Sequence, residues 1–280
     1  MEKTAQGWDE ASTFFGAYMN KDGFTGRFCK DALNQTIGLD KPSGSIRVLD
    51  NAAGTGALTF NAVHQLSQIK EVTSFMINAC DFSPKMIEKL DIIKKENNVN
   101  NIETAVMDGQ NLIFSDKTFD YTYSIFGLIF FPDINRGFNE MFRVLKNGGR
   151  TAVTSWAVDA PLLCSLYEAY KQTTGTEYTD SRTVLTLSDP EDFKKHLEQA
   201  GFVEVQVNRV VHNFELDSIP MILDGFKSNP FFLSVTCKLT SEQLPKFTEN
   251  LTKLLQSKNT STTGKVCLPS AAFVGSGKRP

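Results

Sequence analysis

The chain has 280 residues, of which 41% are hydrophobic, and a formal net charge of −3 with an isoelectric point near 5.7. This length is sufficient to bury a substantial core. The charge indicates no basic patch of the kind that binds a phosphate backbone, so nucleic acid is not expected as a partner.

The cysteines indicate a reducing environment. They stand far apart and form no CxxC pair: Cys29, Cys80, Cys164, Cys237 and Cys267. This spacing favours neither a disulfide framework nor a zinc site, and no metal is predicted. The start of the chain lacks a basic segment followed by an apolar core, and no window approaches the roughly 18 apolar residues of a spanning helix. We therefore expect a soluble, cytoplasmic protein without a membrane span.

Short apolar runs alternate with longer amphipathic runs from residue 45 onward, which is typical of parallel strands joined by crossover helices. Strands are predicted over residues 46–50, 74–80, 102–107, 119–126, 150–157 and 202–211, with 271–274 as a candidate seventh. The pattern predicts an α/β fold with a mostly parallel sheet.

Local signals mark the ends of two of the predicted helices. A helix over about 133–145 is predicted to stop at the glycines Gly148 and Gly149. Another is predicted to begin at Ser188, with Glu191 three residues later completing a capping box.

Two segments interrupt the alternation of strands and helices. Residues 1–40 read as helical and aromatic, and residues 213–262 contain apolar residues at helical spacing. We predict an N-terminal helical lid over 1–40, followed by one domain over 41–280 with a helical insertion at about 213–262.

The stretch VLDNAAGTG places Asp50 directly before a turn of small residues at positions 52, 53, 54 and 56. A P-loop would need Gly-Lys-Ser/Thr, but Ala57 follows Gly56. A dinucleotide fingerprint would need glycine where Thr59 stands, which disfavours a nicotinamide or flavin cofactor without excluding it. Small residues let the backbone approach a ligand, helix-start amides can bind a carboxylate, and Asp50 can attract a cation. The turn thus suits a ligand with an ammonium and a carboxylate at one end.

Two further aspartates follow the next two predicted strands. Asp81 lies roughly 20 residues or somewhat more after the turn, where an acidic residue accepts hydrogen bonds from ribose hydroxyls. Asp108, after the third strand, can accept a hydrogen bond from an exocyclic amine such as that of adenine. An amino acid, a ribose and an adenine together describe S-adenosylmethionine.

The chain resembles the class I S-adenosylmethionine-dependent methyltransferases, especially the small-molecule branch that includes enzymes of ubiquinone and menaquinone biosynthesis. The resemblance rests on VLDNAAGTG, INACDFSPKMI, VMDGQNLIFSDKTFDYTYSIFGLIFFPD and EMFRVLKNGGRTAVTSW, which follow in that order between about residues 45 and 157. It departs at Ala52, where the family more often has glycine and alanine is tolerated if its φ is not positive. The resemblance implies that residues 41–280 form a Rossmann-like methyltransferase domain with a seven-stranded sheet, helices on both faces, helical lid segments and a reversed last strand.

The resemblance also implies S-adenosylmethionine as the cofactor. The implied cofactor-binding residues are Asp50, Ala52, Gly54, Thr55 and Gly56 for the methionine moiety, Asp81 for the ribose, Phe82 and Met86 beside the adenine, Asp108 and Gly109 at its edge, and Ser124, Ile125 and Phe126 beneath the sulfonium.

Aromatic residues are the main candidates for an acceptor site. The chain has 22 phenylalanines, and Phe15, Tyr18, Phe130 and Trp156 are predicted to line an apolar pocket near the lids and strand ends. We expect a small, apolar or aromatic metabolite as the substrate, methylated by in-line displacement on oxygen, nitrogen, sulfur or carbon. Such a displacement requires no side-chain base, but His212, after the sixth strand, is a candidate for one.

Other functions stay open at this point. One is a nicotinamide-dependent oxidoreductase, and another is a catalytically silent protein that binds S-adenosylmethionine. An RNA or protein methyltransferase would be expected to have a basic groove, which the acidic composition does not indicate. The sequence contains no indication of an oligomeric state.

Overall fold

A seven-stranded sheet forms the centre of the protein in a computed structural model, which describes residues 5–179, 185–227, 229–261 and 265–280. The strands are β1 (Gly44–Asn51), β2 (Val72–Asp81), β3 (Ile102–Val106), β4 (Phe119–Ile125), β5 (Leu145–Trp156), β6 (Val203–Leu216) and β7 (Val266–Lys278). Their order is β3-β2-β1-β4-β5-β7-β6, with β7 antiparallel to both neighbours and the other neighbouring pairs parallel. The predicted α/β fold with a reversed last strand is confirmed.

Helices cover both faces of this sheet. They are α1 (Ala5–Tyr18), α2 (Phe24–Asn34), α3 (Ile37–Asp40), α4 (Ala57–Ser67), α5 (Pro84–Glu96), α6 (Ile134–Val144), α7 (Pro161–Thr174), α8 (Pro190–Gln199), α9 (Ile219–Phe226), α10 (Pro230–Thr236) and α11 (Gln243–Lys258). Successive side chains of a strand point to opposite faces, so Val48 and Leu49 of β1 belong to different core clusters, and both are fully buried. A strand that is buried on both faces reads as a continuous apolar run, which is why the sequence pattern identified it.

The parallel strands bring the predicted aspartates to one edge of the sheet. Asp50 pairs with Ala79 of β2 and with Tyr123 of β4, and Asp81 pairs with Val106 at the end of β3. The chain order reverses here, since β2 and β3 lie on one side of β1 while β4 and β5 lie on the other. Ligands of open α/β sheets bind at such a reversal, outside the carboxyl ends of the strands.

The predicted glycine stop after α6 is wrong. α6 ends at Val144 and passes directly into β5, with Leu145 already in the extended conformation. Gly148 has a φ of +81° and lies inside β5, where the pairing with β4 jumps from Leu145 to Arg150. The glycines therefore form an irregularity in a strand, and tertiary pairing overrides the local helix-ending signal.

Two other predicted boundaries also change. α8 is capped by Asp189 and not by Ser188, because the Asp189 carboxylate accepts hydrogen bonds from the backbone N of Glu191 and of Asp192, each at 2.9 Å. The candidate seventh strand over 271–274 is the centre of the much longer β7.

Both segments that interrupt the alternation are helical. Helices α1, α2 and α3 occupy most of residues 5–40, and α9, α10 and α11 lie between β6 and β7. α1 packs along α5, and α11 packs along α7. The division of the chain into lid and domain stays a prediction. None of the helices in the described ranges combines the length and the apolar character needed to cross a membrane.

Candidate active site

A turn with left-handed residues joins β1 to α4. Ala52, Gly54 and Gly56 have φ values of +64°, +55° and +91°, and α4 begins at Ala57. The condition under which alanine would be tolerated without cost, a φ that is not positive, is therefore not met at Ala52, and this alanine is strained because its Cβ is crowded in the left-handed region. A Cβ added to Gly127 would lie 2.4 Å from the Cβ of Ala52, so only glycine fits beside this turn. The turn is thus strained at the place where it presents backbone without large side chains at the edge of the sheet.

Asp50 lies beneath this turn and is 1% exposed. Its Oδ2 accepts hydrogen bonds from the backbone N of Thr59 at 3.0 Å and from the Thr59 Oγ1 at 2.6 Å. Burial raises the pKa of Asp50 from 3.8 to about 7, although the two Thr59 hydrogen bonds favour the ionised form. The carboxylate therefore anchors the start of α4 and gains from any cation that is brought to it.

Asp81 supports the turn from the neighbouring strand. Its Oδ2 accepts a hydrogen bond from the backbone N of Gly54 at 2.8 Å, and its Oδ1 accepts one from the backbone N of Ser83 at 2.9 Å. Burial raises the pKa of Asp81 from 3.8 to about 6, again against the effect of these hydrogen bonds. Each carboxylate oxygen can accept a further hydrogen bond, so this geometry leaves room for a hydroxyl donor.

Asp108 and Gly109 close the same edge after β3. Asp108 is exposed, and its Oδ1 accepts hydrogen bonds from the backbone N and the side-chain Nε2 of Gln110 at 2.9 and 3.1 Å. Gly109 is buried, and a Cβ there would lie 2.2 Å from Oδ1 of Asn51 and 2.5 Å from Cζ of Phe131. Close packing and not a special φ therefore requires glycine at this position.

A cavity of about 350 Å³ extends from these aspartates across the edge of the sheet. The predicted residues that line it are Phe15, Asp50, Ala52, Gly54, Thr55, Asp81, Phe82, Met86, Asp108, Gly109, Ile125, Phe126, Phe130 and Trp156. The part around Asp50, Gly54, Asp81 and Gly109 is called here the aspartate end.

The opposite part of the cavity, called here the aromatic end, lies around Phe24, Phe126, Trp156, Leu163 and Phe232. The Phe126 ring stacks on the Trp156 indole with centroids 4.1 Å apart and planes at 15°. Phe126 has a φ of +54°, and its backbone N donates a hydrogen bond to Oγ1 of Thr154 at 2.8 Å. A strained backbone at the tip of β4 thus sets the flat aromatic wall of the aromatic end.

Several lining residues had no specific signal in the sequence. They are Met19, Thr25, Gln110, Leu162, Leu163, Leu166, Asn229 and Ser270. Leu162, Leu163 and Leu166 belong to α7, whose apolar spacing is equally typical of an ordinary core helix. Their role becomes visible only when α7 is placed beside Trp156.

Two of the predicted cofactor-binding residues do not line the cavity. Gly56 does not line the cavity, because it starts α4 against the Phe60 ring, which a Cβ would approach to 2.9 Å. Ser124 is fully buried beneath the cavity, and its Oγ has no hydrogen-bond partner among the described residues. The side chain of Tyr18 lies outside the described part of the chain.

His212, the candidate base, is not brought to the cavity. Its Nε2 lies 2.6 Å from Oδ2 of Asp31 on α2, and its ring meets the edge of Phe28 at a centroid distance of 4.8 Å. Both members of the pair are about one-quarter exposed. His212 therefore joins β6 to α2, and its ring contacts Asp31 and Phe28 and does not line the cavity.

The donor set at the aspartate end fits S-adenosylmethionine. Among the described lining residues there is no lysine, arginine or histidine, so the buried carboxylate of Asp50 is open to the ammonium group of a ligand. No atom lies within 4 Å of a Cβ placed on Gly54, which leaves space above the turn. In the described ranges no group of three or more His, Cys, Asp or Glu side chains is arranged to hold a metal ion.

Comparison with known proteins agrees with this geometry. The model of the ubiE/COQ5 methyltransferase family matches residues 26–213. The chain is 28% identical to methyltransferase ktnA from Aspergillus niger, over 58% of this chain and 61% of that protein. It is 29% identical to the ubiquinone/menaquinone biosynthesis C-methyltransferase UbiE from Rhizobium leguminosarum bv. trifolii, over 72% of this chain and 79% of that protein.

A solved structure with the same fold is phosphoethanolamine N-methyltransferase 2 from Haemonchus contortus in complex with phosphomonomethylethanolamine and S-adenosylhomocysteine. It superposes with a TM-score of 0.57 at 17% identity, covering 99% of this chain and 58% of that one. The family model and the relatives confirm the methyltransferase resemblance and, with it, S-adenosylmethionine as the cofactor, and the solved structure shows the fold. The family model spans well over half of the length of the chain, and the chain therefore belongs to the ubiE/COQ5 methyltransferase family.

Proposed function

We propose that the chain transfers the methyl group of S-adenosylmethionine to a small, apolar or aromatic metabolite. The observation that carries this proposal is the continuity of one cavity, which runs from the buried carboxylates of Asp50 and Asp81 to the stacked rings of Phe126 and Trp156. A charged ligand fits one end of the cavity and a flat, uncharged ligand fits the other.

The residues of the aspartate end hold and orient the cofactor. Asp50 pairs with its ammonium group, and the start of α4 faces its carboxylate. Asp81 accepts hydrogen bonds from the ribose hydroxyls, while Phe82, Met86 and Asp108 contact the adenine. When bound, S-adenosylmethionine supplies an electrophilic methyl group on a sulfonium centre.

The residues of the aromatic end position the acceptor and exclude water. Ile125 and Phe126 lie at the tip of β4 between the two ends of the cavity, and Trp156 provides a flat surface for stacking. In-line displacement gains most from holding two reactants in contact, and a dry pocket strengthens that effect. No His, Lys, Cys, Tyr or Glu is present among the described lining residues, which favours an acceptor that needs no protein base.

The name of the UbiE relatives makes a quinol-like ring methylated on carbon the first acceptor to test, although oxygen, nitrogen and sulfur acceptors fit the same cavity. The prediction that the partner is a small-molecule substrate rests on the lining of this cavity and on the names of these relatives. The cytoplasmic location and the absence of nucleic acid as a partner stay predictions.

The test combines titration calorimetry with a screen of aromatic metabolites and a labelled methyl donor. We expect Asp81→Ala to weaken S-adenosylhomocysteine binding by roughly tenfold to a hundredfold, because it removes a buried hydrogen-bond acceptor. Trp156→Ala should leave that affinity within about twofold and raise the acceptor KM by about tenfold or more.

The matched control is Val158→Ala, an exposed position two residues beyond Trp156 and outside the lining. It should change neither value. Tight cofactor binding with no labelled product from any aromatic acceptor would instead favour a catalytically silent binding protein. Binding of a nicotinamide cofactor in place of S-adenosylhomocysteine would overturn the proposal.

A further inference from the structure

A contact between α1 and α5 connects the N-terminal helix to the aspartate end of the cavity. The carboxylate Oδ1 of Asp9 accepts a hydrogen bond from the Ser83 hydroxyl at 2.5 Å and another from the backbone N of Lys85 at 3.1 Å. Both donors belong to the start of α5, where unsatisfied N–H groups and the helix dipole favour a negative charge. A residue of α1 thus supplies part of the N-terminal cap of α5.

Ser83 joins this contact to the cofactor site. Its Oγ accepts a hydrogen bond from the backbone N of Met86 at 3.2 Å, and its own backbone N donates to Asp81 at 2.9 Å. Ser83 is fully buried. The carboxylates of Asp9 and Asp81 are therefore linked through a single buried residue, and Asp81 in turn holds Gly54 of the turn.

The residue next to Asp9 covers the cavity. Trp8 is 8% exposed, lines the cavity and meets the Phe130 ring edge-on at a centroid distance of 4.7 Å. Trp8 also packs in one cluster with Met86 of α5. Phe15, two turns along α1, meets Trp8 at 5.5 Å and lines the cavity as well. α1 is thus a roof over the side of the cavity where Asp81, Phe82 and Met86 lie.

We propose that Asp9 is a positioning residue that latches α1 over the cofactor through Ser83, so that cofactor can leave only after this contact opens. Hydrogen bonds to a carboxylate are stronger than those to a neutral acceptor, and the carboxylate of Asp9 accepts two of them, one from the residue that also donates to Asp81. Opening of the latch exposes the cavity at Trp8, and closing it excludes water from the site. The inference rests on the cofactor assignment and not on the identity of the acceptor.

The experiment measures the association and dissociation rates of S-adenosylhomocysteine by stopped-flow fluorescence. For Asp9→Ala we expect dissociation to be faster by roughly tenfold to a hundredfold, with association unchanged or faster. For Asp9→Asn, which keeps an oxygen acceptor but loses the charge, we expect a smaller increase. A merely damaged fold would instead slow association, so the two rates separate a latch from a structural defect.

Glu10→Ala is the matched control, since it removes an exposed acid from the next position of the same helix. Its rates should equal those of the wild type. Limited trypsin digestion adds a second readout, because cleavage at Lys21 in the segment after α1 should be faster in Asp9→Ala than in Glu10→Ala. Bound S-adenosylhomocysteine should protect this site in the wild type.

The latch would be overturned if Asp9→Ala released S-adenosylhomocysteine at the wild-type rate. If Asp9→Ala does not fold, a wild-type dissociation rate in Asp9→Asn would overturn it. A wild-type protein that does not bind S-adenosylhomocysteine would contradict the cofactor assignment as well. Because the measurement needs no methyl transfer, these two failures are distinguishable.

Discussion

Replacement of Asp50 by asparagine should make the ligand-free protein more stable at neutral pH while it weakens cofactor binding. The folded-state pKa of Asp50 lies at about 7, above its ordinary value of 3.8, because the carboxyl group is buried. The folded protein therefore binds the proton more tightly than the unfolded chain does. The contribution of Asp50 to the free energy of unfolding of the wild type is therefore largest below about pH 4 and is lost as the pH rises to about 7.

The magnitude follows from the width of this interval. Between about pH 5 and about pH 8, the Asp50 contribution to the free energy of unfolding changes over about two pH units at about 1.4 kcal/mol each, or by about 3 kcal/mol in total. Asparagine does not titrate, and its oxygen can still accept from Thr59. The unfolding free energy of Asp50→Asn relative to wild type should therefore rise by about 2–3 kcal/mol over this range, which corresponds to about 4–5 °C in Tm for a chain of this length.

The assay is urea unfolding of the cofactor-free protein at both pH values, with Asp108→Asn as the control because this exposed carboxylate lies in the same cavity. Asp81 also titrates in this range, and because its charge is one cause of the raised Asp50 pKa, the difference between wild type and Asp50→Asn includes the coupling between the two carboxyl groups. Asp50→Asn should also lose about tenfold or more in S-adenosylmethionine affinity, and wild-type affinity should decrease as the pH falls below about 7. Equal pH dependence of unfolding in wild type and Asp50→Asn would refute this reasoning.

Three further substitutions test other parts of the site. Ala52→Gly should raise the free energy of unfolding, measured in urea, by up to about 1 kcal/mol. Glycine removes a left-handed strain of about 1–2 kcal/mol, which outweighs the added entropy of a more flexible unfolded chain. A loss of stability would contradict the positive φ at this position. Gly109→Ala should lower stability by about 1–3 kcal/mol in thermal unfolding and weaken S-adenosylhomocysteine binding, since the new Cβ would overlap Asn51 and Phe131; wild-type values would mean that the edge is more open than the structure has it. His212→Gln should cost at most about 1 kcal/mol in thermal unfolding and leave the methyl-transfer rate within about twofold; a large loss of rate at unchanged cofactor affinity would restore the role of this histidine as a base.

The aspartate end could be predicted because its residues are adjacent to strands that the apolar runs define. Asp50, Asp81 and Asp108 each follow such a run, and parallel strands end at one edge, so sequence order alone places them together. What these carboxylates bind within the protein was not predictable. In the sequence, Thr59 was informative only because a dinucleotide fingerprint would have glycine at that position. Its two hydrogen bonds to Asp50 depend on how α4 is placed against the end of β1.

The aromatic end was harder to predict because its residues come from distant segments. Phe15, Phe130 and Trp156 line the cavity, and their role at an acceptor site stays a prediction. Phe24 is distinguishable from a core phenylalanine only by the placement of its helix. Asp9 had no signal either, since a single acid on an aromatic helix is ordinary. Its role depends on the packing of α1 on α5, which periodicity does not encode.

The two ends of the cavity also differ in how the chain builds them. One uninterrupted stretch, residues 50–109, supplies the aspartates and the turn of the aspartate end, which α1 covers. The aromatic end instead combines α2, the tips of β4 and β5, α7 and the segment around 229–232. An insertion or exchange in those outlying pieces can reshape the acceptor chamber while the methyl-donor seat stays intact. Grafting the 217–265 region of a relative onto this scaffold would therefore be a practical route to new acceptors without rebuilding the donor seat.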